Sequence, residues 1–228
     1  MTIRLLASLF FVFVSSSLVA ETWYQVNLVV FENRSVVSGD EVLNQPEGVQ
    51  FIAPENVVDV DAIAESGNEQ GFQRTTIIDQ EFNNVVGSLQ RSSGYRVLLV
   101  KSWRQPGLER GSAIPVLIKG GDSYGNHRRL EGTVRLVLSR YLHLETDLWL
   151  GDYVQEINTP QEWNETGETA APLPVVDSAS DTAESGPQYI PTHLVRMQES
   201  RRMRSKELHF IDHPMLGAVV KIIPVVAD

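Results

Sequence analysis

Arg201-Arg202-Met203-Arg204-Ser205-Lys206-Glu207-Leu208-His209-Phe210-Ile211-Asp212-His213-Pro214, followed by Met215-Leu216-Gly217-Ala218-Val219-Val220-Lys221-Ile222-Ile223-Pro224, packs charged, aromatic and histidine side chains between apolar runs as no other stretch does. Leu208, Phe210 and Asp212 alternate with Glu207, His209, Ile211 and His213, the period-2 pattern of a half-buried strand. Pro214 ends that strand, because proline has no N–H to donate to a ladder. Gly217 permits a bend or bulge, and Ala218 to Ile223 form a further apolar strand. The segment therefore predicts a strand, a tight turn, a second strand, a corner and a third strand, with the basic side chains exposed before the turn.

Upstream, Leu194, Arg196, Gln198 and Ser200 predict the strand that leads into this cluster. Residues 156 to 186 precede it, acidic and rich in proline, serine and threonine. Such a composition cannot bury enough apolar surface to offset ordering entropy, so it reads as a disordered loop. A second acidic stretch, 36 to 70, reads as a mobile loop with one apolar docking point at Val49 to Ile52. Between the loops, Tyr95 to Trp103, Ile114 to Lys119, Leu130 to Leu138 and Arg140 to Leu150 alternate as strands. In the last of these, Tyr141, His143, Glu145, Asp147 and Trp149 share one face. Ile78, Phe82, Val85, Val86 and Leu89 mark one face of an amphipathic helix. Thr75 or Thr76 is its expected N-cap and Gly94 its C-terminal stop. Tyr24 to Phe31 predicts a first strand, apolar on both faces by its end and therefore central. The predicted fold class is α+β: a mostly antiparallel sheet of about seven strands with one packed helix and two long acidic loops.

The chain has 228 residues and a formal charge of −10. Nucleic acid is an unsuitable partner, since it demands a broad basic field. The absence of cysteine excludes disulfides, thiolate nucleophiles and zinc–thiolate sites. Arg4 and the apolar run Leu5 to Val14 predict a signal peptide over residues 1–20, cleaved after Ala20 or Ser17. The run is too short for a membrane span. Residues 21–228 then form a single domain in the periplasm.

Trp23-Tyr24-Gln25-Val26 through Val30-Phe31-Glu32, Tyr95-Arg96-Val97-Leu98-Leu99 through Trp103-Arg104-Gln105-Pro106, Leu130-Glu131-Gly132, Ser139-Arg140-Tyr141-Leu142-His143-Leu144 and the motif Arg201 to Pro214 together resemble the CsiV family, periplasmic peptidoglycan-binding proteins of gamma-proteobacteria. The resemblance runs from the first strand to the C-terminus, and the acidic loops are the unmatched parts. It implies a non-enzymatic role: binding peptidoglycan and helping to activate a bifunctional penicillin-binding protein together with that enzyme's outer-membrane lipoprotein activator. No cofactor is implied.

The ligand's chemistry suggests the residues. Arginine forks match stem-peptide carboxylates, and aromatic rings match sugar faces. The candidates are Trp103 with Arg104, Arg140 with Tyr141, and Arg201, Arg202, Arg204 and Lys206. The competing reading pairs these arginines with Glu131, Glu145 and Glu207 inside the domain. Glu207, His209, Asp212 and His213 form the motif's corner. His209 and His213 on one strand stand roughly 13 Å apart, too far to share a metal ion, so no metal site is expected. No Gly-x-Ser-x-Gly elbow or His-Glu-x-x-His run occurs. A wall hydrolase with an unrecognised site and a periplasmic scaffold remain the alternatives.

Overall fold

The computed structural model describes residues 22–35, 50–64, 66–76, 79–155 and 187–225. At its centre is β1 (Trp23–Asn33), buried from Tyr24 to Glu32. Val26, Leu28 and Val30 face one apolar layer, and Val29 and Phe31 face another. A strand apolar on both faces must be covered on both, so its central place is a consequence of its composition. It pairs antiparallel with β3 (Tyr95–Pro106) on one side and β9 (Leu216–Val225) on the other. The two-residue β2 (Gln73–Arg74) and β8 (Leu208–Asp212) complete sheet A, in the order β2-β3-β1-β9-β8. Sheet B holds β4 (Val116–Tyr124), β5 (His127–Leu138), β6 (Leu142–Gln155) and β7 (Tyr189–Met203) in chain order.

Among the described residues, nine strands in two sheets thus replace the expected seven or so in one. The alternation shows that each strand has an inside, but not which neighbours share its sheet. The two sheets pack face to face through residues such as Leu28, Trp103 and Ile222 of A and Leu130, Leu144 and Leu148 of B. On the opposite face of sheet A, α1 (Gln80–Arg91) buries Phe82 and Val86 against Val29, Phe31 and Val219. Among the described residues no helix covers the outer face of sheet B.

Both helix caps differ from expectation. Asp79 is the N-cap, accepting from Phe82 N at 2.8 Å, and Ser92 closes the helix in place of Gly94. The reason for Asp79 is tertiary: its carboxylate also takes the Lys221 ammonium of β9, at 3.0 and 2.8 Å. The described part of the first acidic stretch is docked on the core. Val58, Val60, Ile63 and Phe72 enter the core, and Val58 forms a parallel bridge to Val116. At the expected docking point Val49 to Ile52, Ile52 is 80% exposed, Phe51 is half-buried and Val49 lies outside the described residues. Val58 and Val60 alternate with Asp59 and Asp61 over a run too short to read as an element, yet they, Ile63 and Phe72 all enter the core. An acid of the same segment, Asp61, meets the buried Lys101 ammonium at 2.9 Å. Residues 1–20, 36–49 and 156–186, where the signal peptide and the acidic loops are expected, lie outside the described residues, as does Ile78 of the expected helix face.

The final hairpin follows its reading. β7 ends at Met203, β8 ends before Pro214, and β9 returns beside β1. Gly217 serves another purpose than the expected bend: a Cβ there would come within 2.4 Å of the Phe31 ring.

Candidate functional site

The outer face of sheet B is built by cross-strand rows. Alternation along β6 turns Leu142, Leu144 and Leu148 to the core, leaving His143, Glu145, Asp147 and Trp149 on the other side. Register fixes what stands beside them. The first row is Val137, His143 and Arg202, and the second is Arg135, Glu145 and Ser200. Thr133, Asp147 and Gln198 make the third, and Glu131, Trp149 and Arg196 the fourth.

The two middle rows floor a groove of about 620 Å³, walled by Pro54, Asn56 and Pro115. Its charges are already committed. Glu145 accepts from Arg135 Nε at 2.8 Å and also binds Arg110. Burial pushes the Glu145 carboxyl up, but the hydrogen bonds and charges of Arg135 and Arg110 outweigh it and hold the group below the ordinary range. Asp147 takes Arg196 through a two-bond fork at 2.7 and 2.8 Å and the Trp149 indole N–H at 3.0 Å. Arg196 lies over the Trp149 ring, 4.8 Å from its centroid, and the ring is 7% exposed.

The row at the hairpin end differs. Arg202 sits over the exposed Tyr141 ring with its guanidinium carbon 3.3 Å from the centroid, and Arg140 approaches the same ring at 5.5 Å. Neither arginine has an acidic partner among the described residues. The Tyr141 backbone is pinned: its carbonyl accepts from Ser139 N at 3.0 Å and Ser139 Oγ at 3.1 Å, and His143 Nδ1 lies 3.0 Å from it. A cation laid on an aromatic ring is held by the ring quadrupole while its N–H edge remains available.

The other candidates are dispersed. Trp103 belongs to sheet A, is 0% exposed and donates its indole N–H to Gln105 at 2.7 Å, so it has no face to offer a sugar. Arg104 stands on the same strand, opposite Gln25 and Gln73. Strand alternation turns Arg201 away from Arg202, and it donates to the Phe210 carbonyl, fastening the β7 edge to the β8 edge. Arg204 pairs with Glu207 at 3.7 Å, one of the internal pairings weighed against a binding role. Lys206 occupies the turn with a φ of 69° and is anchored by its N–H to Ile222 O at 2.7 Å.

The histidine motif is architectural. His209 Nε2 lies 3.0 Å from Arg204 N and accepts from it, closing the turn. His213 Nδ1 accepts from Met215 N at 3.3 Å at the corner before β9. Burial lowers the His213 pKa, against the opposing charge of Asp212. No group of three His, Cys, Asp or Glu side chains is placed to hold a metal ion among the described residues.

Of the expected site, Arg140, Tyr141 and Arg202 come together. The groove beside them and Arg196 were missed. Their signal was the polar face of β6 from Tyr141 to Trp149, but only register brings Gln198 and Ser200 against it.

A family model described as "Peptidoglycan-binding protein, CsiV" matches residues 2–225. No curated protein and no solved structure matches the chain.

Proposed function

The chain belongs to the CsiV family of peptidoglycan-binding proteins, and from that premise we propose that it holds the wall through the outer face of sheet B without cleaving it. The observation that carries this reading is the pair Arg140 and Arg202 on the Tyr141 ring. The protein has a formal charge of −10, and most of its described arginines near a carboxylate are engaged with it, as Arg96, Arg110, Arg129, Arg135 and Arg196 are. Two exposed cations on one ring, with no acid beside them among the described residues, concentrate positive charge on a protein of net negative charge.

The rest of the reading is an envelope protein of the periplasm, delivered by the 1–20 leader. No helix of the described residues is long and apolar enough to cross a membrane. There the protein supports wall synthesis, acting on a bifunctional penicillin-binding protein and its lipoprotein activator. A binding role accords with the state of Glu145, whose carboxyl Arg135 and Arg110 hold below the ordinary range, which opposes general acid chemistry there at neutral pH.

Sedimentation of the mature protein with purified sacculi tests the reading, alongside an Arg140→Ala/Arg202→Ala variant checked for folding by circular dichroism. The wild type is expected to sediment and the folded variant to stay in solution. Equal sedimentation moves the site elsewhere. Release of muropeptides from the sacculi would establish a hydrolase instead. For the regulatory part, addition to the purified synthase and activator is expected to raise synthesis, and an unchanged rate removes that part.

A further inference from the structure

Building on the wall-binding reading above, we propose that the outer face of sheet B reads the stem peptide of peptidoglycan and not its glycan strand. An extended peptide lies in the groove over Thr133, Gln198 and Ser200, and one of its carboxylates reaches Arg202 and Arg140.

The choice between the wall's two polymers rests on what the face offers. Sugar rings are commonly bound by stacking on an aromatic face. None of the residues lining the groove is aromatic. The two rings on the flanking rows are both occupied: Arg196 lies over Trp149 at 4.8 Å and Arg202 over Tyr141 at 3.3 Å. Both rings thus carry an arginine, and neither lines the groove.

A peptide finds both of its needs met. With Arg135, Glu145, Asp147 and Arg196 paired with one another, and Glu199, which also lines the groove, 3.8 Å from Arg201, the uncharged polar groups of the floor are the Thr133 and Ser200 hydroxyls and the Gln198 amide. These are neutral donors and acceptors, suited to peptide N–H and C=O groups. The groove, about 620 Å³, is the size of a site for a short peptide. At its hairpin end the chemistry changes to cationic. Ser200 and Arg202 are successive residues of one strand face, about 7 Å apart. An extended ligand running along β7 and meeting Ser200 with one amide thus brings a carboxylate two residues further on to Arg202. The stacked guanidinium presents a flat two-donor edge there, the geometry that a carboxylate accepts bidentately.

The test is competition. Mature protein is first bound to sacculi, then challenged with soluble stem peptide carrying free carboxylates, with the same peptide fully amidated, or with an N-acetylglucosamine oligomer. Release by the free peptide is expected, with the amidated peptide at least about tenfold weaker and the sugar oligomer without effect. Titration of the free peptide by isothermal calorimetry should show an Arg202→Gln variant weakened about tenfold, and an Arg91→Gln variant, which removes the same charge from the helix, unchanged. Release by the sugar oligomer but not by the peptide overturns the inference and leaves wall binding standing. So does an Arg202→Gln variant that binds peptide as the wild type does. A wild-type protein that never sediments with sacculi defeats the wall-binding reading itself, and this inference with it.

Discussion

The two outer faces of the sandwich carry similar residue types and use them in opposite ways. On sheet A, Lys221 is buried and bound by Asp79 and Glu81 at 2.8 and 2.6 Å, and a helix lies over the strands beside it. On sheet B, Arg202 is exposed and rests on a tyrosine ring with no acid beside it among the described residues. A buried charge without a partner is too costly to keep, so every cation under the helix has been matched. An exposed charge faces no such demand, and one left unmatched is available to a ligand. The presence of arginine therefore says little; its burial and its partners distinguish a fastening from a site.

Four outcomes sharpen or break that contrast, beginning with the largest. Phe82→Ala empties the centre of the helix–sheet A layer and is expected to cost about 3–5 kcal/mol in chemical denaturation. A loss under about 1 kcal/mol would mean that the helix is not fastened by this layer. Lys221→Met removes a buried cation and strands Asp79. Because Glu81 is largely exposed and hydrated, the expected loss is about 2 kcal/mol. Gly217→Ala forces a methyl group toward the Phe31 ring, which is itself held between Tyr95 and Phe210, and should cost about 1–3 kcal/mol. Arg202→Ala, on the other face, is expected to change stability by less than about 0.5 kcal/mol while weakening binding to sacculi about tenfold. A large stability loss there would place Arg202 with the fastenings and undo the comparison.

Acid titration separates the faces further. Burial pushes the Asp79 carboxyl up, but hydrogen bonds from Lys221 and the Phe82 N–H, with the Lys221 charge, outweigh it and leave the pKa lowered. The folded value thus lies below the unfolded one. Its stabilisation is complete above the ordinary value of 3.8 and is lost as pH falls through the lowered folded value. Lys221 runs the other way: burial lowers its pKa, yet Asp79 and Glu81 raise it overall, so its contribution holds below 10.5 and fades as pH rises through the raised value. Stability measured against pH should fall less steeply in acid for Lys221→Met than for the wild type, whereas Arg202→Ala should leave the curve's shape unchanged.

Much of this was legible in the chain. The alternation of β6 named both of its faces, the double apolar character of β1 named its central place, and Pro214 named the end of β8. Arg140, Tyr141 and Arg202 were recognised as arginine and aromatic candidates. Trp103 was misplaced because an aromatic beside an arginine in sequence looks the same whether its strand face turns inward or outward. The N-cap was misplaced because Thr75, Thr76 and Asp79 all satisfy the local rule, and only Lys221, far along the chain, prefers a carboxylate.

The sequence by itself determined the strand faces, the amphipathic helix, the acidic balance and the family, because each is written in neighbouring residues or in their order. Only the tertiary structure decided which strands share a sheet, that Val58, Val60 and Phe72 dock an acidic segment into the core, and that Arg202 meets Tyr141 beside a groove. The physical reason is the same in each case. Period-2 alternation fixes the direction of a side chain relative to its own strand, but it does not name which segment far along the chain will lie beside that side chain.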